Sequence, residues 1–237
     1  MMRLFGIFSY LCTRFCNIDF MKELKSVLFD LDGVVFDTEP QYTVFWGQIC
    51  REYHPEHPRL EHEIKGSTLD QIYNRWFTGP LEAVRPEVTR RLDAFEAQMR
   101  FDYIDGFEAF VHDLHAHGVK TAVVTSSNQP KMQSVYRAQP GFKSLFDAIL
   151  TSEDFAESKP SPDCYLRGAA RFGAEPGECV VFEDSFNGLR SGRAAGMYVV
   201  GLATTNTQEA IREFSDCQIT DYSNMNYQKL NTLWQAI

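Results

Sequence analysis

The sequence has little that would direct it to a membrane, a nucleic acid or an oxidising compartment. An apolar, aromatic stretch at residues 1–16 is interrupted by Arg14. It is too short to span a bilayer, which needs about 20 apolar residues. No small-residue cleavage site follows it, so it does not read as a secretory signal. Dense clusters of Lys and Arg are missing. With 23 basic against 32 acidic residues and a net charge of −9, the chain lacks the basic stripe of a nucleic-acid surface. The six cysteines, at 12, 16, 50, 164, 179 and 217, show neither zinc-ligand spacing nor a small-domain disulfide framework. Free thiols in a reducing cytoplasm are the expectation. Internal repeats and low-complexity segments are also missing, which excludes solenoids and linkers. Residues 1–20 read as an N-terminal extension, because Met21 begins a second start-like pattern just before the first strand. Intact-mass analysis of protein made from its own gene context checks this.

What is present is enough for a sizeable core: 237 residues, 44% of them hydrophobic. That suits one large α/β domain, or a core with an insertion. Strand patterns appear at 27–29, 120–124, 148–150, 179–182 and 197–201, with a weaker one near 218–220. Most are followed by a helical pattern. Repeated β-α units predict a doubly wound parallel sheet with helices on both faces. The rhythm stops between residues 38 and 104, where only helices are expected, at 41–53, 68–77 and 86–100. The last begins with Pro86 and carries Val88, Leu92, Phe95 and Met99 at helical spacing. An insert this long exceeds a normal βα connection. It predicts a helical domain at 38–104 inserted into a core of 21–37 and 105–237.

Four strand ends carry polar groups, and ligands bind at the carboxyl edge of an open parallel sheet. Asp30 and Asp32 follow the first strand, with Gly33 allowing a sharp turn. Residues i and i+2 of a strand share a side, so both carboxylates start toward one site. Left unpaired about 4 Å apart they would repel by roughly 4 kcal/mol at an effective dielectric of 20. One carboxylate can act as nucleophile, a second as acid and base. Thr125 ends the second strand, and its hydroxyl with the Ser126 and Ser127 amides suits a phosphate oxygen. Lys159 stands on a turn stiffened by Pro160 and can neutralise a transferring phosphoryl group. Glu183 and Asp184 end the fourth strand and suit a hard cation such as Mg²⁺. Each feature alone has a plain explanation as a turn, a cap or a surface charge. Together they match the needs of phosphoryl transfer.

The order and identity of Asp30, Leu31, Asp32, Gly33 and Val34, then Thr125, Lys159, and Glu183 with Asp184, resemble the four motifs of the haloacid dehalogenase-like superfamily. The resemblance runs from about residue 25 to 201. The helical insert is similar to the cap of the phosphoglycolate phosphatase and β-phosphoglucomutase branch. It implies Asp30 as the phosphorylated nucleophile and Asp32 as general acid and base. It implies Mg²⁺ held by Asp30, the Asp32 main-chain carbonyl and Asp184, with Glu183 beside them. Thr125, Ser126 and Lys159 would bind the phosphoryl group.

Asp32 speaks against dehalogenation, which needs no leaving-group proton. The mutases of the branch have a His where Tyr42 stands, and an Arg where Leu69 follows Lys65 and Gly66. The expected activity is therefore an Mg²⁺-dependent phosphatase acting on a small phosphorylated metabolite, of sugar phosphate or phosphoglycolate type. The alternatives are a β-phosphoglucomutase-like mutase, or a non-catalytic Mg²⁺-binding module on the same fold. Glu39, Tyr42, Trp46, Lys65 and Asn128 are the candidates to face the substrate. A monomer or weak homodimer is expected.

Overall fold

The computed structural model describes residues 23–236; the N-terminal extension, the start at Met21, Cys12 and Cys16 lie outside them. Six strands form one parallel sheet: β1 (Ser26–Phe29), β2 (Lys120–Val124), β3 (Ala148–Leu150), β4 (Cys179–Glu183), β5 (Tyr198–Leu202) and β6 (Cys217–Ile219). Their spatial order is β3-β2-β1-β4-β5-β6. The longer helices are α1 (Glu39–Tyr53), α2 (Leu69–Trp76), α3 (Arg85–Glu96), α4 (Phe107–Ala116), α5 (Gln129–Ala138), α6 (Asp163–Arg171), α7 (Phe186–Ala194) and α8 (Tyr227–Gln235). Among the described residues no helix is long and apolar enough to cross a membrane.

The strands are short apolar runs because helices cover both faces. In β1, Val27 and Phe29 point into one core, with Phe107, Phe110, Phe182 and Tyr222. Leu28 points into the other, with Val124, Tyr165, Val181 and Leu189. The register sets Phe29 opposite Val123 on one side and Phe182 on the other. The residues just beyond these strands therefore emerge at one level of one edge. The sheet order reverses direction beside β1, where such folds open a crevice.

The helices between β1 and β2 gather around their own apolar cluster of Phe45, Trp46, Ile49, Ile72, Tyr73, Phe77, Val88 and Leu92. Thr68 caps α2 in a reciprocal box with Gln71, which satisfies two orphan donors. The helix expected over residues 86–100 stops at Glu96. Met99 leaves it and packs in the main core beside Phe101 and Ile104, so helical spacing carried the pattern past its real end. A short helix at Leu60–Glu63 and a 3₁₀ segment at Gly79–Val84 escaped the sequence pattern. The two connections to the sheet run side by side. Asp37 N donates to Asp102 O (2.9 Å), Ile104 N donates to Val35 O (2.9 Å), and Phe36 bridges Tyr103.

Candidate active site

Asp30 leaves the end of β1 with its amide on Phe182 O (3.0 Å). Lys159 Nζ donates to Asp30 Oδ1 (2.7 Å), Glu183 Oε1 (2.7 Å) and Val124 O (3.1 Å). It is 4% exposed and lies over the Tyr165 ring. Burial works against its charge, but Asp30 and Glu183 outweigh that and hold its pKa above the usual lysine value. Burial pushes the Asp30 carboxyl up to about 7, against the pull of Lys159. Glu183 is fully buried and both its oxygens are engaged. Oε1 accepts from Lys159 and from Tyr165 Oη (2.7 Å), and Oε2 from the amides of Asp184 (3.1 Å) and Ser185 (3.3 Å).

Asp184 faces Asp30 across the crevice. Burial, then Glu39, Glu183 and Asp30, push its carboxyl well above the ordinary range. Asp30, Glu183 and Asp184 each present an oxygen within 4.8 Å of the others. An oxygen-only set of this kind fits a hard divalent cation such as magnesium. Both oxygens of Glu183 accept from protein donors, whereas Asp30 accepts from Lys159 on Oδ1 and Asp184 accepts from Thr205 on Oδ2, one oxygen each. Gly33, at φ +70°, makes room for the Asp184 carboxylate: a Cβ there would stand 2.1 Å from Asp184 Oδ2.

Asp32 has different company. Its Oδ1 accepts from Thr38 Oγ1 (2.7 Å), and its Oδ2 from Lys131 Nζ and from Ser127 Oγ (3.4 Å). The Lys131 ammonium is buried beside the Tyr42 ring, 4.8 Å from its centroid. Tyr42 Oη donates to Glu96 Oε1 (2.7 Å). Thr125 is buried at the end of β2, and its Oγ1 accepts from the Ser127 amide (3.0 Å). The Ser127 amide thus closes a local turn instead of standing open toward a phosphate as expected. Ser126 lines the cleft. Asn128 also lines it, but its Oδ1 caps α5 at the Lys131 amide (3.0 Å).

The helical layer closes the cleft, whose volume is about 390 Å³. Glu39, Tyr42, Trp46 and Lys65 all border it. Lys65 Nζ lies 3.3 Å from Glu39 Oε2. Trp46 is also buried against Phe45, so it serves packing as well as lining. Gly66, at φ +69°, sits so close to Ser185 that a Cβ would stand 2.4 Å from the serine Cβ. Asn187 Nδ2 donates to Gly66 O (3.1 Å), and Gln71 Nε2 to Lys159 O (3.1 Å). The layer thus rests directly on the loops that carry Lys159 and Asp184.

Sequence reasoning missed Lys131, Thr38, Glu96 and the loop after β5. In that loop Thr204 Oγ1 donates to Gly33 O (2.6 Å), Thr205 Oγ1 to Asp184 Oδ2, and Asn206 Nδ2 to Asp184 O (3.0 Å). A run of three hydroxyl and amide residues after an apolar strand was the available signal.

Residues 24–196 match the family model of haloacid dehalogenase-like hydrolases, so the chain belongs to that family. Hexitol phosphatase A of Escherichia coli is 32% identical over 183 residues, covering 75% of this chain and 82% of its own. The bifunctional riboflavin kinase/FMN phosphatase of Arabidopsis thaliana is 28% identical over 211 residues, covering 83% of this chain. The match spans only 53% of that plant protein's length. β-Phosphoglucomutase of Clostridium difficile shares the fold, with a TM-score of 0.72 at 18% identity over 90% of this chain and 98% of its own. Family and relatives together make this chain a hydrolase of phosphoric monoesters.

Proposed function

We propose that the chain is a magnesium-dependent phosphatase that hydrolyses a small phosphorylated metabolite, of sugar phosphate type, through a phosphorylated Asp30. The observation that carries this reading is the division of labour between two carboxylates in one cleft. Asp30 is held by Lys159 among the acidic groups of β4. Asp32, two residues on, is held by Thr38, Lys131 and Ser127. Different surroundings suit different tasks.

An Asp30 oxygen attacks phosphorus while the bond to the leaving oxygen breaks. Asp32 gives that oxygen its proton, and the alcohol departs. Asp32 then takes a proton from water, whose oxygen attacks the phosphorus and frees Asp30 and inorganic phosphate. Lys159, Thr125 and Ser126 hold the phosphoryl oxygens, and Lys159 offsets charge that grows in the transition state. Glu183 fixes Lys159 in place. Magnesium, held by Asp30, Asp184 and the Asp32 carbonyl, would supply charge neutralisation for the phosphoryl group. The helical layer acts as a cap that excludes water. Tyr42 supports hydrolysis over mutase chemistry, because its hydroxyl is committed to Glu96.

Asp30→Asn should abolish phosphate release and leave no acid-trapped phosphoprotein, while wild type labels in a rapid quench. Turnover retained in a clean Asp30→Asn preparation would overturn the covalent route.

A further inference from the structure

The sheet side and the helical side of the cleft carry different groups. Lys159 serves the phosphoryl group from the sheet side. The helical layer borders the cleft with carboxylates: Glu39, which lies against Gly33 and Asp184, and Glu61, Asp70, Asp93 and Glu96. From that same layer only one ammonium among the described residues, Lys65, reaches the cleft, and Glu39 holds it. Arg51 stands near Glu61 without bordering the cleft. The core adds Lys131, which is already bound to Asp32 and shares the field of Glu96.

A second phosphate or a carboxylate on the leaving group would need one of these ammonium groups. Taking Lys131 would deprive the half-buried Asp32 and Glu96 of their shared cation, and taking Lys65 would strand Glu39. An uncharged hydroxyl has no such need. Carboxylates are acceptors for hydroxyl donors, and Glu39 Oε2 is buried without a hydrogen bond despite its ion pair with Lys65. The helical side of the cleft is thus built from acceptors.

We infer that the substrate's leaving group is a neutral or cationic polyhydroxyl compound with no second anionic group, and that Glu39 and Glu96 set this preference. The inference rests on the phosphatase reading and narrows it. Bisphosphates and phosphoglycolate are poor substrates, although an unspecialised small-metabolite phosphatase would accept both.

The test measures kcat/KM for phosphate release by the full chain with Mg²⁺. The probes are a hexitol monophosphate, fructose 1,6-bisphosphate, 2-phosphoglycolate and p-nitrophenyl phosphate. The hexitol phosphate should exceed both anionic substrates by about tenfold or more at low salt, with the gap narrowing as salt screens the cleft. Glu96→Gln, which keeps an acceptor for Tyr42, and Glu39→Gln should each raise the anionic substrates relative to the hexitol phosphate. Equal or better turnover of phosphoglycolate or the bisphosphate by wild type overturns the inference and leaves the phosphatase reading standing. Release from p-nitrophenyl phosphate alone, without any preference among the metabolites, also overturns it. No release from any probe removes the phosphatase reading, and the inference with it.

Discussion

The two sides of the cleft are built differently. On the sheet side, Asp30, Thr125 and Asp184 leave the ends of buried parallel strands whose register sets them at one level. Lys159 and Glu183 there are almost wholly buried and bonded on every side. On the helical side, the lining comes from helices, and Asp70 and Asp93 are exposed. A sheet edge holds groups rigidly by its ladder. A helical face can change side chains without disturbing that ladder. Chemistry on the first and selectivity on the second is the division expected when function varies on a constant fold.

The strongest way to break this contrast is on its rigid side. Lys159→Met removes the ammonium that Asp30 and Glu183 share. Turnover should fall by roughly 10²- to 10³-fold. Stability should fall by about 3 kcal/mol or more, because buried Glu183 loses its counter-ion. Rapid-quench kinetics and a urea midpoint measure the two separately.

Metal comes next. In metal-free protein, burial pushes Asp30 up to about 7 and Asp184 well above the ordinary range. From the usual carboxylate range up to about pH 7, the folded state then binds more protons than the unfolded one. Stability contributed by these groups falls as pH rises through that window. Mg²⁺ should therefore raise the Tm more at pH 8 than at pH 5, and Asp184→Asn should lose most of that rise. A Tm shift equal at both pH values would contradict this.

A smaller effect sharpens the comparison at the boundary between the two sides. Lys131→Met keeps the length beside the Tyr42 ring but leaves Asp32 Oδ2 with only the long bond from Ser127 Oγ (3.4 Å). The expected result is a fall in kcat of about tenfold with an altered pH profile and little change in KM. An unchanged pH profile would reduce Lys131 to packing.

The smallest effect belongs to the helical side. Lys65→Ala should raise KM several-fold and leave formation of phosphorylated Asp30 intact, as for a uniform binding contact. Unchanged kinetics on the natural substrate would remove Lys65 from the site.

Legibility in the sequence followed the same division. The strands were readable because most are short apolar runs closed by a polar motif, and all six patterns match the observed strands to within one residue. The short β6 strand (Cys217–Ile219) was placed near residues 218–220. Asp30, Asp32, Lys159, Glu183 and Asp184 were expected together because each stands beside a local signal, a strand end, a Pro turn or a glycine, and the structure brings them to one edge of the sheet. The end of α3 was not, since Met99 keeps helical spacing after the chain has left the helix for the main core. Asn128, expected toward substrate, lines the cleft, and its Oδ1 also caps α5, a second role that only the structure displays.

The residues alone determined the order of chemical groups along the chain, the alternation of strand and helix, and the presence of a helical insert. These follow from local backbone preference and from periodicity, which act over a few residues. Only the tertiary structure decided which groups meet. Lys131 reaches Asp32 across 99 positions, Lys159 reaches Asp30 across 129, and Tyr42 reaches Glu96 across 54. No local pattern encodes such pairs, because they depend on strand register and on how the helical layer rests on the sheet edge. The acidic character of the helical side arises in the same way, from carboxylates scattered over four helices that converge only when the layer packs.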